Sequence, residues 1–252
     1  MESCQEYLNR AAAFEEDGLF EEALRELKHA LRTSTDKGPV YKRLSDVYHG
    51  LHQTKDAISA IKKAIKLDSN DVEARETHLD LLLEIGEFEA AIVGGRELLR
   101  IYPRSLGARE ILSIAYLQKG LMDEAMKITN ELISLDRSSP ANHFKRAWLY
   151  QQKGDYGNAI NEYLRVLDMG PDDEMARDSQ QAIDAMDSYQ VRQIITLALE
   201  DYIFRAKMVR NPEAAALERG FILSFSGQAA LKQIKFDELP EIYSEWKQRY
   251  YH

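Results

Sequence analysis

The sequence has little that could form covalent or metal cross-links. Its 252 residues include one cysteine, Cys4, so no intrachain disulfide can form. Among its six histidines, His49 and His52 lie three residues apart, but no cysteine and no evident carboxylate completes a ligand set. We therefore expect ordinary histidines, no metal site and no cofactor.

Long apolar runs are also missing. No stretch approaches the roughly 18 apolar residues that a membrane helix needs. The first residues, MESCQEYLNRAAAFEEDG, contain no apolar core of a secretory signal. We expect a cytoplasmic chain with no membrane partner.

Motifs for catalysis are absent as well. The chain has no G-x-G-x-x-G, G-x-x-x-x-G-K-[ST], G-x-S-x-G or H-E-x-x-H sequence. The pair Gly94-Gly95 falls inside a helical pattern and has no preceding strand for a phosphate loop. We predict a non-enzymatic protein without catalytic residues. An activity carried by residues 188–252 is the alternative.

Charge and composition point to helices and away from nucleic acid. Charged residues make up 30% of the chain, with only 13 Gly and 6 Pro, a composition that favours helices over sheets. The formal net charge is −9, which repels phosphate backbones. We therefore expect no nucleic-acid partner.

What the sequence does contain is a repeat of 34 residues. The clearest series is alanine at every stride, in five copies: Ala23, Ala57, Ala91, Ala125 and Ala159. A second series is glycine in all copies but one: Gly18, His52, Gly86, Gly120 and Gly154. A third series is large and apolar: Phe14, Tyr48, Leu82, Tyr116 and Tyr150. The copies span 4–37, 38–71, 72–105, 106–139 and 140–173.

Each series has a physical role in a pair of helices. Glycine permits a tight turn between two apolar-periodic segments. Alanine allows the two helices of a pair to cross closely. Pro103 and Pro171 stand at equivalent places after the second segment and end it.

These series resemble the tetratricopeptide repeat (TPR) family. The resemblance implies an all-α, right-handed superhelical solenoid of antiparallel helix pairs over residues 4–173, with a concave and a convex side. The third copy departs from the family pattern, because Leu79 stands where a small residue is usual and Gly95 where a bulky one is usual. We expect this copy to pack differently.

The last third breaks the period. Residues 174–187 predict a polar capping helix, with Met175, Ala182, Ile183 and Met186 facing the fifth copy. Residues 188–252 predict a small helical module of no recognised family. Its final helix is predicted to start at Asp237 and to have one apolar face: Leu239, Ile242, Tyr243, Trp246 and Tyr250.

The resemblance further implies a scaffold or adaptor that binds a protein segment in the concave groove. Carrying the family's inward positions over gives a groove that grades from charged residues, including Lys42 and Arg43, through an acidic third copy to apolar fourth and fifth copies, with Glu110 in the fourth. The partner-binding residues predicted from these positions are Glu76, Asp80, Leu83, Ile111, Ile114, Leu117, Phe144 and Trp148. An amphipathic protein or peptide with some basic residues would suit this mixture.

The sequence also allows other functions for the groove and for the repeats. The helices of the last third could lie in the groove and bury its apolar patch, or a homodimer could cover it. The chain could also be a self-assembling structural repeat protein that forms homo-oligomers. The Lys and Asn clamp with which some family members hold acidic chaperone tails is absent, because the matching positions hold Leu8 and Ala12, Lys42 and Asp46, and Glu76 and Asp80.

Overall fold

A computed structural model describes residues 3–239, and the regular elements in that range are all helices. They are α1 (Cys4–Glu16), α2 (Phe20–Thr33), α3 (Gly38–Gly50), α4 (Thr54–Leu67), α5 (Val72–Glu84), α6 (Phe88–Ile101), α7 (Leu106–Gln118), α8 (Met122–Leu135), α9 (Pro140–Gln152), α10 (Tyr156–Asp168), α11 (Asp173–Glu200), α12 (Tyr202–Arg210), α13 (Pro212–Glu218) and α14 (Phe225–Lys232). The predictions of an all-α chain and of five helix pairs in the first two-thirds are confirmed.

The same hydrogen bond closes the turn inside every pair. The residue after the glycine series donates its backbone N–H to the carbonyl of the large apolar series at 2.7 to 2.9 Å, as from Leu19 to Phe14 and from Asp155 to Tyr150. This geometry places the intervening residue in the left-handed region. The four glycines of the series have φ between 69° and 78°. The turns therefore follow the sequence period.

His52 takes the glycine place in the second pair with φ of 57°, a conformation that disfavours side chains with a Cβ. We expect His52→Gly to raise the free energy of unfolding by about 1 kcal/mol, because the strain disappears while the turn is kept. Urea denaturation followed by circular dichroism measures the change. The matched reverse variant, Gly86→His, should lose a similar amount, and equal stability of all three proteins would contradict this account.

The alanine series marks the place where the two helices of each pair approach most closely. All five alanines are 0% exposed. In the second pair, Ser45 Oγ of α3 donates a hydrogen bond to the carbonyl of Ala57 in α4 at 3.0 Å. A side chain so close to the opposite backbone leaves no room for a residue larger than alanine.

The chain divides into two compact units, Met1–Leu135 and Asp136–His252. The first holds α1 to α8, in which each pair also packs on the next through α2 and α3, α4 and α5, and α6 and α7. The second holds α9 to α14. The fifth helix pair thus shares a compact unit with the last third of the sequence.

Helix α11 continues the stacking in the second unit. Its first half packs on the fifth pair through Ile183 and Met186, which are buried, and Ala182, which is partly buried, as expected. Met175, which was also predicted to face this pair, is partly exposed and is not among the residues of that core cluster. The helix then runs on without interruption to Glu200, so the predicted boundary between residues 187 and 188 lies inside one helix. No glycine or proline stands between Asp173 and Glu200 to break it.

The rest of the second unit packs on the second half of α11. A core containing Ile194, Phe204, Met208 and Leu231 joins α11 to α12 and α14. Asn211 caps α13, as its position before a proline predicts.

The run 221–225 forms neither a strand nor one helix. Residues 221–224 are an irregular segment, and α14 begins at Phe225. Ser224 caps α14, and its side chain accepts a hydrogen bond from the backbone N–H of Gly227. Buried Asp187 accepts hydrogen bonds from the backbone N–H of Ser224 at 2.9 Å and from its hydroxyl, which fixes the segment on α11. The final helix predicted through Tyr250 lies largely outside the described residues.

Candidate partner-binding surface

The first helices of successive pairs stand side by side in the first unit and share a line of polar contacts. Arg43 of α3 reaches Glu15 of α1 at 2.8 Å. Lys42 of α3 reaches Asp71, the N-cap of α5, at 3.1 Å. Ser105, the N-cap of α7, donates to Glu76 of α5 at 2.5 Å. We call the surface formed by α1, α3, α5 and α7 the first-helix face.

Acidic residues concentrate on this face where α5 meets α7. Burial raises the pKa of the Asp80 carboxyl, and the nearby carboxylates Glu76 and Glu110 raise it further. Burial likewise raises the pKa of Asp46 on α3, with Glu15 and Glu73 adding to the effect. A raised pKa means that the folded protein disfavours the ionised form. A cationic ligand on this face would relieve that repulsion.

Apolar side chains lie on the same two helices. Ile114 of α7 is 38% exposed, and Leu83 of α5 and Leu117 of α7 are partly exposed. Ile111 is only 2% exposed, so it belongs to the core, although we expected it at the surface. The family position predicted that Ile111 is exposed, and this prediction was wrong because α7 packs on α5 as well as on α6 and α8.

The last two predicted contact residues, Phe144 and Trp148, lie on α9 in the second unit. Both are partly exposed. Phe144 packs against the core of the fifth pair and meets the Tyr163 ring edge-on, with 5.4 Å between the centroids. Phe144 is thus held by its own helix pair, and Trp148 stands one turn further along α9.

The histidine pair takes no metal-like arrangement in residues 3–239. His49 Nε2 contacts Glu84 at 2.7 Å. That range contains no group of three or more His, Cys, Asp or Glu side chains placed to hold a metal ion. Nor does any of its helices combine the length and apolar character needed to cross a membrane.

A buried ionic network in the fifth pair was not predicted. Glu162 of α10 accepts hydrogen bonds from Arg146 Nη2 of α9 at 2.9 Å to both carboxylate oxygens, and from His143 Nδ1 at 2.8 Å. The first pair has the equivalent contact, Arg10 with Glu26 at 2.6 Å. An arginine and a glutamate sixteen residues apart in both copies was the signal in the sequence.

The anomalous third pair does pack differently, as expected. A Cβ added to Gly94 of α6 would stand 2.4 Å from Leu79 Cδ2, and one added to Gly95 would stand 2.9 Å from Leu112 Cγ. The two glycines therefore make room for the unusually large Leu79 and for Leu112 of the next pair. Leu79 is thus compensated by Gly94, whereas Gly95 accommodates Leu112 of α7.

Two segments match a family model directly. Residues 39–71 and 141–173 match the tetratricopeptide repeat, each in phase with a copy found from the sequence. Superkiller protein 3 of Schizosaccharomyces pombe is 26% identical over 153 residues, which are 57% of this chain and 11% of that protein. Superkiller complex protein 3 of Homo sapiens is 26% identical over 165 residues, 61% of this chain and 10% of that protein. The chain spans about a tenth of the length of these curated relatives.

Solved structures share the fold. MamA from Desulfovibrio magneticus RS-1, residues 41 to the end, has a TM-score of 0.61 at 20% identity, covering 66% of this chain and 94% of that one. YrrB, described as a TPR protein with an unusual peptide-binding site, has a TM-score of 0.56 at 18% identity, covering 69% and 90%. With helix pairs at the predicted period and two family-model matches in register, the chain carries tetratricopeptide repeats, and the family identified from the sequence is confirmed.

Proposed function

We propose that this chain is a non-enzymatic scaffold that binds a segment of another protein on the first-helix face of its first unit. The segment is amphipathic and carries basic residues. The observation that carries the proposal is the acidic group of Asp80, Glu76 and Glu110 beside the exposed Ile114. No nucleic acid takes part, because this face repels phosphates.

Repulsion among the carboxylates at this junction favours a cationic partner. The folded chain keeps three carboxylates together at the junction of α5 and α7, at a cost in stability at neutral pH. Asp80 and Glu110 are exposed, and no described side chain forms an ion pair with either. A Lys or Arg from a partner would offset the repulsion, which improves both affinity and encounter rate.

The exposed apolar side chains beside these carboxylates favour an amphipathic partner segment. Glu110 and Ile114 lie one turn apart on α7, and Asp80 and Leu83 lie three residues apart on α5. A helical segment with apolar residues on one side and basic residues at its margin would contact both kinds of side chain. Two features of the relatives agree with this proposal: the repeat family itself, and the peptide-binding site for which YrrB is described.

Removing the two exposed charges should weaken binding. We expect Asp80→Asn with Glu110→Gln to reduce the affinity for a basic amphipathic peptide about tenfold, since two charge contacts are lost. Fluorescence anisotropy of a labelled peptide with a leucine face bordered by lysines measures the affinity. A scrambled peptide of equal charge reports how much of the binding needs the apolar face.

The matched control is Asp56→Asn with Glu124→Gln, which removes the same charge from the exposed second helices α4 and α8. This variant should bind within about twofold of the wild type, because it changes net charge but not the proposed site. Equal losses in the two variants would show that only net charge matters and would refute the site.

A further inference from the structure

Helix α6 differs from the other second helices on its outer side. Ala90 stands where the other copies have Glu22, Asp56, Glu124 and Asn158. Val93 stands where they have Arg25, Ser59, Lys127 and Asn161, and it is 65% exposed. The third repeat thus presents apolar residues at two places that are polar in all four other copies.

These residues border a cavity of about 560 Å³ between α4, α5 and α6. Its apolar wall includes Ile65, Leu82, Val93 and Leu98. The volume lies in the range of ligand-binding clefts and exceeds what one large side chain occupies. Gly94 and Leu79, which packs against it, also line the cavity.

The third repeat also contains a buried polar atom, Nε2 of His78, that has no hydrogen-bond partner in the described part of the chain. In the first and fifth repeats, an arginine on the first helix contacts a glutamate on the second, Arg10 with Glu26 and Arg146 with Glu162. The equivalent places in the third repeat hold His78 and Gly94. His78 lines the cavity, and its buried Nε2 has no hydrogen-bond partner within residues 3–239. The imidazole of His78 thus has no carboxylate partner of the kind that the arginine has in the first and fifth repeats.

Positive charge lies on the α4 and α5 side of the cavity. Lys62 of α4 and Arg75 of α5 line the cavity. Helix α4 carries four lysines and one aspartate in a chain of net charge −9. Lys62 and Lys66 form no ion pair with any described side chain, and Lys62 contributes, after burial, to lowering the pKa of His78.

The opposite wall limits which ligand fits. Glu89 and Glu97 of α6 also line the cavity, and Glu89 is engaged by Lys119 at 2.8 Å. The cationic groups therefore lie on the α4 and α5 side and the carboxylates on the α6 side. An acidic group is therefore favoured on the α4 and α5 side of the cavity, which orients the bound segment.

We propose that this cavity is a second docking site, which takes one large apolar side chain of a partner segment together with a flanking acidic residue. The apolar side chain enters the cavity beside Ile65 and Val93, and the acidic residue lies against Lys62 and His78. The partner differs in charge from the one proposed for the first-helix face, so the two sites select different segments. The chain would then join a basic and an acidic partner through opposite helices of its repeats.

The test uses the full chain and a labelled peptide in which one phenylalanine is flanked by glutamates. We expect saturable binding by fluorescence anisotropy. Changing the phenylalanine to alanine should weaken it about tenfold or more, the effect of burying one aromatic side chain. Versions with leucine or methionine cover other anchor shapes. In an NMR titration, the glutamate peptide should raise the pKa of His78 above its value with a glutamine peptide of the same shape.

Two protein variants locate the site. Ala90→Trp occludes the cavity from an exposed position and should reduce binding at least about tenfold, and Lys62→Glu should reduce it through charge. Glu124→Trp introduces the same bulky side chain at the equivalent place in α8 and should have little effect. The variant Asp80→Asn with Glu110→Gln should also bind the acidic peptide normally, which separates this proposal from the one for the first-helix face.

Three results would overturn the proposal. One is absence of saturable binding by the phenylalanine, leucine and methionine peptides. Another is equal binding by Ala90→Trp and wild type, or equal loss with Glu124→Trp. The third is self-association of the chain that Ala90→Trp abolishes, because a second copy would then be the occupant.

Discussion

Replacing Ala57 with phenylalanine should unfold the second helix pair and lower the free energy of unfolding by more than about 3 kcal/mol. Ala57 is fully buried, and Ser45 of the opposite helix donates a hydrogen bond to its carbonyl at 3.0 Å. A ring at this crossing must push α3 and α4 apart. That movement breaks the hydrogen bond and opens the core between the pairs.

Urea denaturation followed by circular dichroism measures the loss, and hydrogen exchange locates it. The matched control is Ser59→Phe, which adds the same ring to the exposed side of α4 and should change stability by less than about 0.5 kcal/mol. Similar stability of the two variants would mean that the alanine series does not set the helix crossing.

Changing Glu162 to glutamine should cost about 3 kcal/mol of stability in the second unit. The Glu162 side chain is almost inaccessible and contacts both Arg146 and His143, of which His143 is 2% exposed. Glutamine keeps the volume but removes the negative charge that compensates the buried guanidinium. It also turns an amide N–H₂ group toward one of the two donors, which adds an unsatisfied contact.

The first repeat offers the control, because Glu26 contacts Arg10 in the same way but in a more exposed setting. Glu26→Gln should cost about 1 kcal/mol or less, since solvent replaces part of the lost interaction. Hydrogen exchange should show faster opening of α9 and α10 only in the Glu162 variant. Equal costs for both variants would show that burial does not determine the strength of this contact.

The helix pairs could be predicted because the residues that recur every 34 positions, glycine and alanine, are the ones that the turns and the helix crossings require. The glycines of the Gly18 series take positive φ, and the alanines of the Ala23 series are buried. Each series therefore reflects a requirement of the turn or helix crossing within its own pair. His52 has the same positive φ, although histidine is not a residue type that would have predicted it. The change of hydrophobic pattern at residue 188 predicts a boundary there, and this prediction was wrong. Helix α11 is continuous because no helix-breaking residue stands at that position.

The binding surfaces were only partly predictable. Family positions placed Asp80 and Ile114 at the surface correctly but also placed Ile111 there, because exposure depends on how α7 packs on its neighbours. Of the residues that line the cavity of the third repeat, Leu79 departs from the family pattern in the sequence. Only the structure shows that Gly94 accommodates it and that the buried Nε2 of His78 has no partner within residues 3–239.

The salt dependence of binding to the first-helix face tests the central claim most directly. Between about 0.01 M and about 1 M salt, the screening length falls from about 30 Å to about 3 Å. We predict that the affinity of the wild type for the basic amphipathic peptide falls steeply over this range. The affinity of the Asp80→Asn, Glu110→Gln variant should start lower and fall less. Parallel curves for the two proteins would contradict the claim that these carboxylates hold a basic partner segment.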